Sequence, residues 1–464
     1  MSKGRGVDVG GRAPNCAESR GRTYERLACR GMPSSSGDGL LALLVLSSSS
    51  ERGSRLRCFQ RTTLHALSET TGQQGGWRAL RGGGQVLVRY IVSRPDQSLQ
   101  LARKRRKSPE ASVEALQRAQ VALERESMRH ADLFMADVPE GPTTCAVKLF
   151  MGLRQLLAMR PRAQFVGCAD DDAFLHPPRL AQDLLEFVDH PRQVVYGQIG
   201  IAGGWSDAND YHYGWGFYMN RRNVLNLHRL RQRHIARGDP GPGPFVLPYG
   251  FCLILSHGAA EHATRAALVS SLVTRLVARA RRQQRRDVPN LCAKCRPGAD
   301  GALGWALSQV RPRLNLTVVD VTYGKRLLLW RGSRAQVDLG KGAAVLHTAS
   351  KWREHFQFAL CAADEGRGAG KERPDQAMIF RCEGGGEYPA TNCGAAGCEG
   401  KPRMVLPKGS TCLADAECAA NWRNEFGSVA MCYAVGRRDV AHVPSSQPSL
   451  CQANESEVLR RCGG

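Results

Sequence analysis

The sequence predicts an α/β protein, a sheet with helices on both faces, followed by a small cysteine-rich domain. Three observations carry that expectation. Short apolar runs alternate with stretches of helical periodicity through the middle of the chain. Three consecutive aspartates, Asp170, Asp171 and Asp172, stand where one such run ends and a proline-started helix begins. Nine of the 17 cysteines fall between Cys361 and Cys462, the density of a disulfide-stapled secreted module.

The strand candidates are "QVLVRYIVS" (Gln85–Ser93), "DLFMADV" (Asp132–Val138), "QFVGC" (Gln164–Cys168) and "QVVYGQI" (Gln193–Ile199). Between them, residues 110–130 and 146–159 carry apolar side chains at helical spacing. In "HPPRLAQDLLEFVDH" (His176–His190) prolines open a helix and leucines follow at three-to-four spacing. Further on, Ala266–Arg286 aligns Leu268, Leu272 and Leu276 beside Val269, Val273 and Val277, with arginines crowding the last turn, where the helix dipole favours cations.

Residues 1–57 are rich in Gly, Ser and Arg and are expected to be disordered, residues 58–356 to form the main domain, and residues 357–464 the disulfide-bonded one. The cysteine crowding and two sequons, Asn315-Leu-Thr317 and Asn454-Glu-Ser456, argue for an oxidising lumen. The sole candidate for a targeting segment is "GLLALLVL" (Gly39–Leu46), far short of the ~20 residues that span a bilayer. The expectation is therefore a truncated or atypical N-terminus, with membrane anchoring left open and no transmembrane helix in this chain.

A formal charge of +23 raises nucleic acid as a partner, yet the arginines are scattered. The densest run, "RKRRK" (Arg103–Lys107), reads as a solvated loop, so no nucleic-acid partner is expected. "CAKC" (Cys292–Cys295) could be half of a zinc site or a redox pair, but no second such pair occurs, and disulfide use is expected.

Three adjacent carboxylates repel one another unless a cation neutralises them, and oxygen-rich acidic sites suit hard divalent ions. A solvated helix cap is the bland alternative. The surrounding text bears on the choice. Glu124, Asp132, Leu133, Asp137 and Lys148, followed by "QFVGCADDDAFL", resemble in their order the Fringe and β-1,3-galactosyltransferase group of glycosyltransferases. "LPYGFCLILS" (Leu247–Ser256), "GADGALGWALSQV" (Gly298–Val310) and "VLHTASKW" (Val345–Trp352) are similar to three later elements of that group. The resemblance spans roughly residues 58–352.

The resemblance implies a GT-A-like nucleotide-sugar-binding fold, with a mixed sheet flanked by helices. It implies an inverting, metal-dependent transfer of a hexose or N-acetylhexosamine from a UDP-sugar to a glycan or glycoprotein, with a β-1,3 linkage, in the Golgi lumen. It assigns Asp172 and His347 to a metal such as Mn²⁺ with Asp171 in support. Asp170 would face the ribose and uracil, and Asp171 and Lys148 would belong to the same donor site. Asp300 would be the base that takes the acceptor proton, although the acid that precedes it in the group is Ala299 here. It also pairs Cys168 with Cys252 in a disulfide. The alternative reading is a catalytically weak glycan-binding or scaffold protein on a degenerate transferase fold. The aromatic stretch Gly203–Asn220 reads equally as an acceptor loop or as a packed core edge.

Overall fold

The computed structural model describes residues 39–67, 78–79, 84–95, 109–140, 144–159, 163–185, 187–188, 193–206, 210–216, 229–230, 232–238, 245–285, 298–310, 316–321, 327–330, 344–348, 378–382, 387–389 and 430–437. The chain runs β1 (Leu41–Leu46), α1 (Glu51–Leu67), β2 (Arg78–Ala79), β3 (Gln85–Arg94), α2 (Pro109–His130), β4 (Leu133–Pro139), α3 (Cys145–Met159), β5 (Phe165–Asp170), β6 (Ala173–Leu175) and α4 (Pro177–Leu185). There follow β7 (Gln193–Ser206), β8 (Tyr211–Gly216), β9 (Phe245–Ser256), α5 (His257–Arg265), α6 (Ala267–Arg285), α7 (Ala299–Val310), β10 (Leu316–Asp320), β11 (Leu327–Trp330) and β12 (Val345–Thr348). Three strands close the order: β13 (Met378–Cys382), β14 (Glu387–Pro389) and β15 (Ala430–Arg437).

A mixed sheet organises the molecule, in the order β14-β13-β15-β10-β7-β9-β5-β1-β3-β2, with β4 beside β3 and β8 beside β7. Strand β1 is parallel to both β3 and β5, whereas β9 runs antiparallel to β5 and β7. Helices α3, α5, α6 and α7 pack over one face and α1, α2 and α4 over the other. All four strand candidates are strands, and the periodic stretches are helices, as the alternation predicts.

Two expectations are corrected at the N-terminal side. "GLLALLVL" is no targeting segment here, because Leu41–Leu46 forms the strand between β3 and β5. Its side chains alternate: Leu41, Leu43 and Val45 enter one core, while Ala42, Leu44 and Leu46 enter the other. A strand buried on both faces must be apolar at every position, which is why the run imitates a leader sequence. Residues 39–57, expected to be disordered, hold β1, a short connection and the start of α1, which contributes the buried Leu56, Phe59 and Leu64.

Two smaller differences follow. In α6 the buried stripe is Val269, Leu272 and Leu276, and Leu268 faces solvent. At the other end of the sheet, β15 pairs with β10 and β13 with β15. In its described residues, region 357–464 thus extends the main sheet; most of it, with the "CAKC" pair and "RKRRK", lies outside the described residues. Among the described residues no helix is long and apolar enough to cross a membrane.

Candidate functional site

The acidic turn follows β5 at the carboxyl end of that strand, where open α/β sheets gather ligands. Asp170 is the last residue of β5, Asp171 and Asp172 make the turn, and β6 begins at Ala173. Strand β12 pairs antiparallel with β6 and sets His347 opposite Ala173. That register delivers an imidazole from 175 residues away in sequence to the acidic turn, with His347 Nε2 3.2 Å from Asp172 Oδ1 and 4.0 Å from Asp170 Oδ2. The ring is stacked on Phe251 of β9 at 5.0 Å and 9°, which fixes its plane.

The three residues offer one ligand atom each, all within 4.8 Å of one another. Metal–ligand bonds of about 2.1 Å place donor atoms up to roughly 4 Å apart across the ion, a span that holds both distances from His347 Nε2, 3.2 Å to Asp172 and 4.0 Å to Asp170. The donor set, two carboxylate oxygens and one imidazole nitrogen, fits a divalent ion such as Mn²⁺. The electrostatics point the same way. Burial and then the adjacent Asp172 push the Asp170 carboxyl up to about 7. Burial disfavours the charged His347 ring, but the hydrogen bond and charge of Asp172 more than offset it and raise the imidazole. A cation bound among them would offset the negative charge that contributes to both shifts. The Asp170 side chain keeps 40% of its surface exposed, so the cluster opens to solvent on that side.

The structure redistributes the roles implied for the triplet. Asp170, expected toward the nucleoside, joins Asp172 and His347 in the cluster. Asp171, expected to support the metal, turns the other way and accepts a 2.7 Å hydrogen bond from Ser47 Oγ at the end of β1. Successive residues leaving a strand point to opposite sides, so three adjacent carboxylates cannot all face one ion. Burial raises the Asp171 carboxyl, opposed by the Ser47 hydrogen bond. Lys148 is also not in the cluster: its Nζ donates to Ser47 O at 2.8 Å and to Glu140 Oε1 at 2.7 Å, both inside the fold.

Helix α1, which periodicity did not reveal, holds the acidic turn from behind. Gln60 Nε2 donates to the carbonyls of Asp171 at 3.2 Å and Ala173 at 2.9 Å. Arg57, fully buried, donates to Ser47 Oγ at 2.7 Å and makes a two-pronged pair with Glu126 of α2 at 2.8 and 2.6 Å. Arg61 bridges Glu126 and Asp132. The sequence signal for these residues was present, a basic and polar face on residues 57–61, but it stood inside a stretch without sustained hydrophobic periodicity.

Asp300 opens α7, and its Oδ1 accepts the backbone N–H of Gly301 at 2.8 Å. It lies near enough to Asp170 to contribute to that carboxyl's upward shift. Gly250 of β9 faces Asp300, since a Cβ built there would sit 3.5 Å from Asp300 Cβ. The stretch Gly203–Asn220 resolves toward the core reading in its described part: it holds the end of β7 and all of β8, and Trp205 is fully buried.

The Cys168–Cys252 disulfide is corrected. Both thiols are free and buried. Register explains it: Cys168 pairs with Leu253 and Ala169 with Cys252, so the two cysteines project from opposite faces of the sheet into different cores. Cys58 on α1 is disulfide-bonded.

The Galactosyltransferase family model matches residues 112–221, a span that contains Lys148 and the acidic turn but neither Asp300 nor His347. No curated protein matches the chain significantly. Among solved structures, mouse xyloside xylosyltransferase 1 in its apo form aligns at 10% identity over 66% of this chain and 97% of that one, with a TM-score of 0.27. An active-site mutant of LgtC aligns at 10% identity over 68% of this chain and 94% of that one, with a TM-score of 0.28. Over residues 112–221, then, this chain is similar to the galactosyltransferase family, and that segment is what supports a glycosyltransferase.

Proposed function

We propose that the protein is an inverting, divalent-metal-dependent glycosyltransferase that moves a hexose or N-acetylhexosamine from a UDP-sugar to a glycan or glycoprotein hydroxyl, forming a β-1,3 linkage in the lumen of the secretory pathway. The observation that carries this reading is the convergence of Asp170, Asp172 and His347 beyond the carboxyl end of β5, within and beside a galactosyltransferase segment.

Asp170, Asp172 and His347 would hold the ion, which supplies positive charge for the diphosphate when bound. The rest belongs to the protein's own groups. Asp300 takes the proton of the acceptor hydroxyl, whose oxygen forms the new bond to the anomeric carbon. The bond from that carbon to the diphosphate breaks, and its electron pair leaves on UDP. Phe251 holds the His347 ring, and Ser47, Arg57 and Gln60 hold the turn that presents Asp170 and Asp172, so little reorganisation accompanies the reaction.

The test is incubation with Mn²⁺ and a panel of UDP-sugars, with UDP release and product linkage measured. Release that disappears in Asp172→Ala and on chelation is the expected result. UDP-sugar binding with no release from any donor would favour the glycan-binding reading instead.

A further inference from the structure

Asp300 stands without the acidic neighbour that precedes it in the Fringe-like pattern, because residue 299 is alanine. A histidine from a different element packs against the residue that follows Asp300. His212 of β8 is 5% exposed and is the register partner of Trp205 on β7. Cross-strand partners share a face of the sheet, and Trp205 stacks on Trp305 of α7 at 5.0 Å and 25°. His212 therefore faces the helix whose first turn carries Asp300.

The approach is close. A Cβ built on Gly301 would lie 2.1 Å from His212 Nδ1 and 2.6 Å from Cε1. The imidazole edge thus rests on the backbone of the residue after Asp300, whose N–H already binds Asp300 Oδ1. Only glycine admits that contact. Burial favours the neutral imidazole, and the nearby Asp300 carboxylate favours the charged one. Asp300 also lies near enough to Asp170 and Cys168 to contribute to their upward shifts.

His212 is also held in place. Asp210, two residues earlier, is buried in a left-handed backbone conformation with φ of 50° and pairs with Arg275 at 2.7 Å and Arg279 at 3.1 Å on α6. The start of β8 is thereby pinned to that helix two residues before His212.

We propose that His212 is a positioning residue for Asp300, packed against Gly301 so that the first turn of α7 holds the carboxylate toward the acceptor hydroxyl. The inference rests on the transferase reading with Asp300 as base. Residue spacing could not show it, since 88 positions separate the two.

The experiment compares full-length wild type with His212→Ala, His212→Asn and Gly301→Ala. It measures steady-state transfer with Mn²⁺, donor and acceptor, alongside calorimetric binding of UDP in the presence of Mn²⁺. The expected result is a fall of about 100-fold in kcat for His212→Ala, with the donor KM and UDP affinity unchanged. His212→Asn, which keeps a polar group near the position of Nδ1, should recover at least about tenfold of that loss. Gly301→Ala, which pushes the ring from α7, should resemble His212→Ala in kcat and wild type in UDP binding. A kcat within twofold of wild type in His212→Ala overturns the inference, as does a parallel loss of kcat and UDP affinity across the three variants. A wild-type protein that releases UDP from no donor overturns the transferase reading and the inference with it. An active wild type with an equally active His212→Ala overturns the inference alone.

Discussion

Replacing Glu126 with glutamine probes the support behind the acidic turn. Arg57 is fully buried and Glu126 is 10% exposed, with two hydrogen bonds of 2.6–2.8 Å between them. Burial alone would raise the Glu126 carboxyl, but the Arg57 and then Arg61 contacts bring it from 4.5 down to about 2. At about 1.4 kcal/mol per unit, that difference is worth about 3 kcal/mol. The folded value is depressed, so the stabilisation is fully present above pH 4.5, shrinks as pH falls toward 2, and is gone below both values.

Urea unfolding of wild type and Glu126→Gln should therefore differ by about 3 kcal/mol at pH 7, and the gap should close on acidification toward pH 2. Removing one member of a buried pair strands the other's charge, which makes the single variant costly. A double variant, Arg57→Leu with Glu126→Leu, should lose less than Glu126→Gln, because no uncompensated charge stays inside. A Glu126→Gln protein within about 1 kcal/mol of wild type at pH 7, or a gap that ignores pH, would refute the assignment of this pair as the anchor of α1 to α2.

Three further outcomes are expected. Asp170→Asn should weaken Mn²⁺ binding by at least about tenfold, whereas Asp171→Asn should leave it nearly unchanged and instead cost about 1–3 kcal/mol of stability through its bond to Ser47; calorimetry and denaturant titration separate the two. Alkylation in denaturant without reductant should recover Cys168 and Cys252 as thiols, and both should resist reagent in the folded state, since burial and then Asp170 push the Cys252 thiol up to about 12; a peptide linking them would contradict the register of β5 and β9. Leu44→Ala should destabilise the fold by about 2–5 kcal/mol, measured by denaturation, while a cleavable leader would show almost no cost.

Much of the site was legible because its residues sit at element boundaries with strong local signals. An apolar run, three aspartates and a proline-started helix announced a strand end facing solvent, and the order of later motifs brought His347 and Asp300 into view. What failed did so for identifiable reasons. The period-two rule makes neighbouring carboxylates face different ways, yet which of the three turn inward depends on Gln60 and on Ser47, a residue of the segment that local pattern assigned to disorder. The same rule undid the expected disulfide: two cysteines can be matched to a motif from the sequence, but a one-residue offset in strand register sends them into separate cores.

The amino-acid order by itself determined the alternation of strands and helices, the acidic turn after β5 and the identity of a histidine and an aspartate that accompany it. These depend on periodicity and side-chain chemistry over a few residues, which the chain carries locally. Only the tertiary structure decided that Asp170 rather than Asp171 joins Asp172 and His347, that "LALLVL" is a strand within the sheet, and that His212 lies against Gly301 beside Asp300. Each of those outcomes is set by the register between strands distant in sequence, and register is fixed by packing two cores at once, a condition that no short stretch of sequence contains.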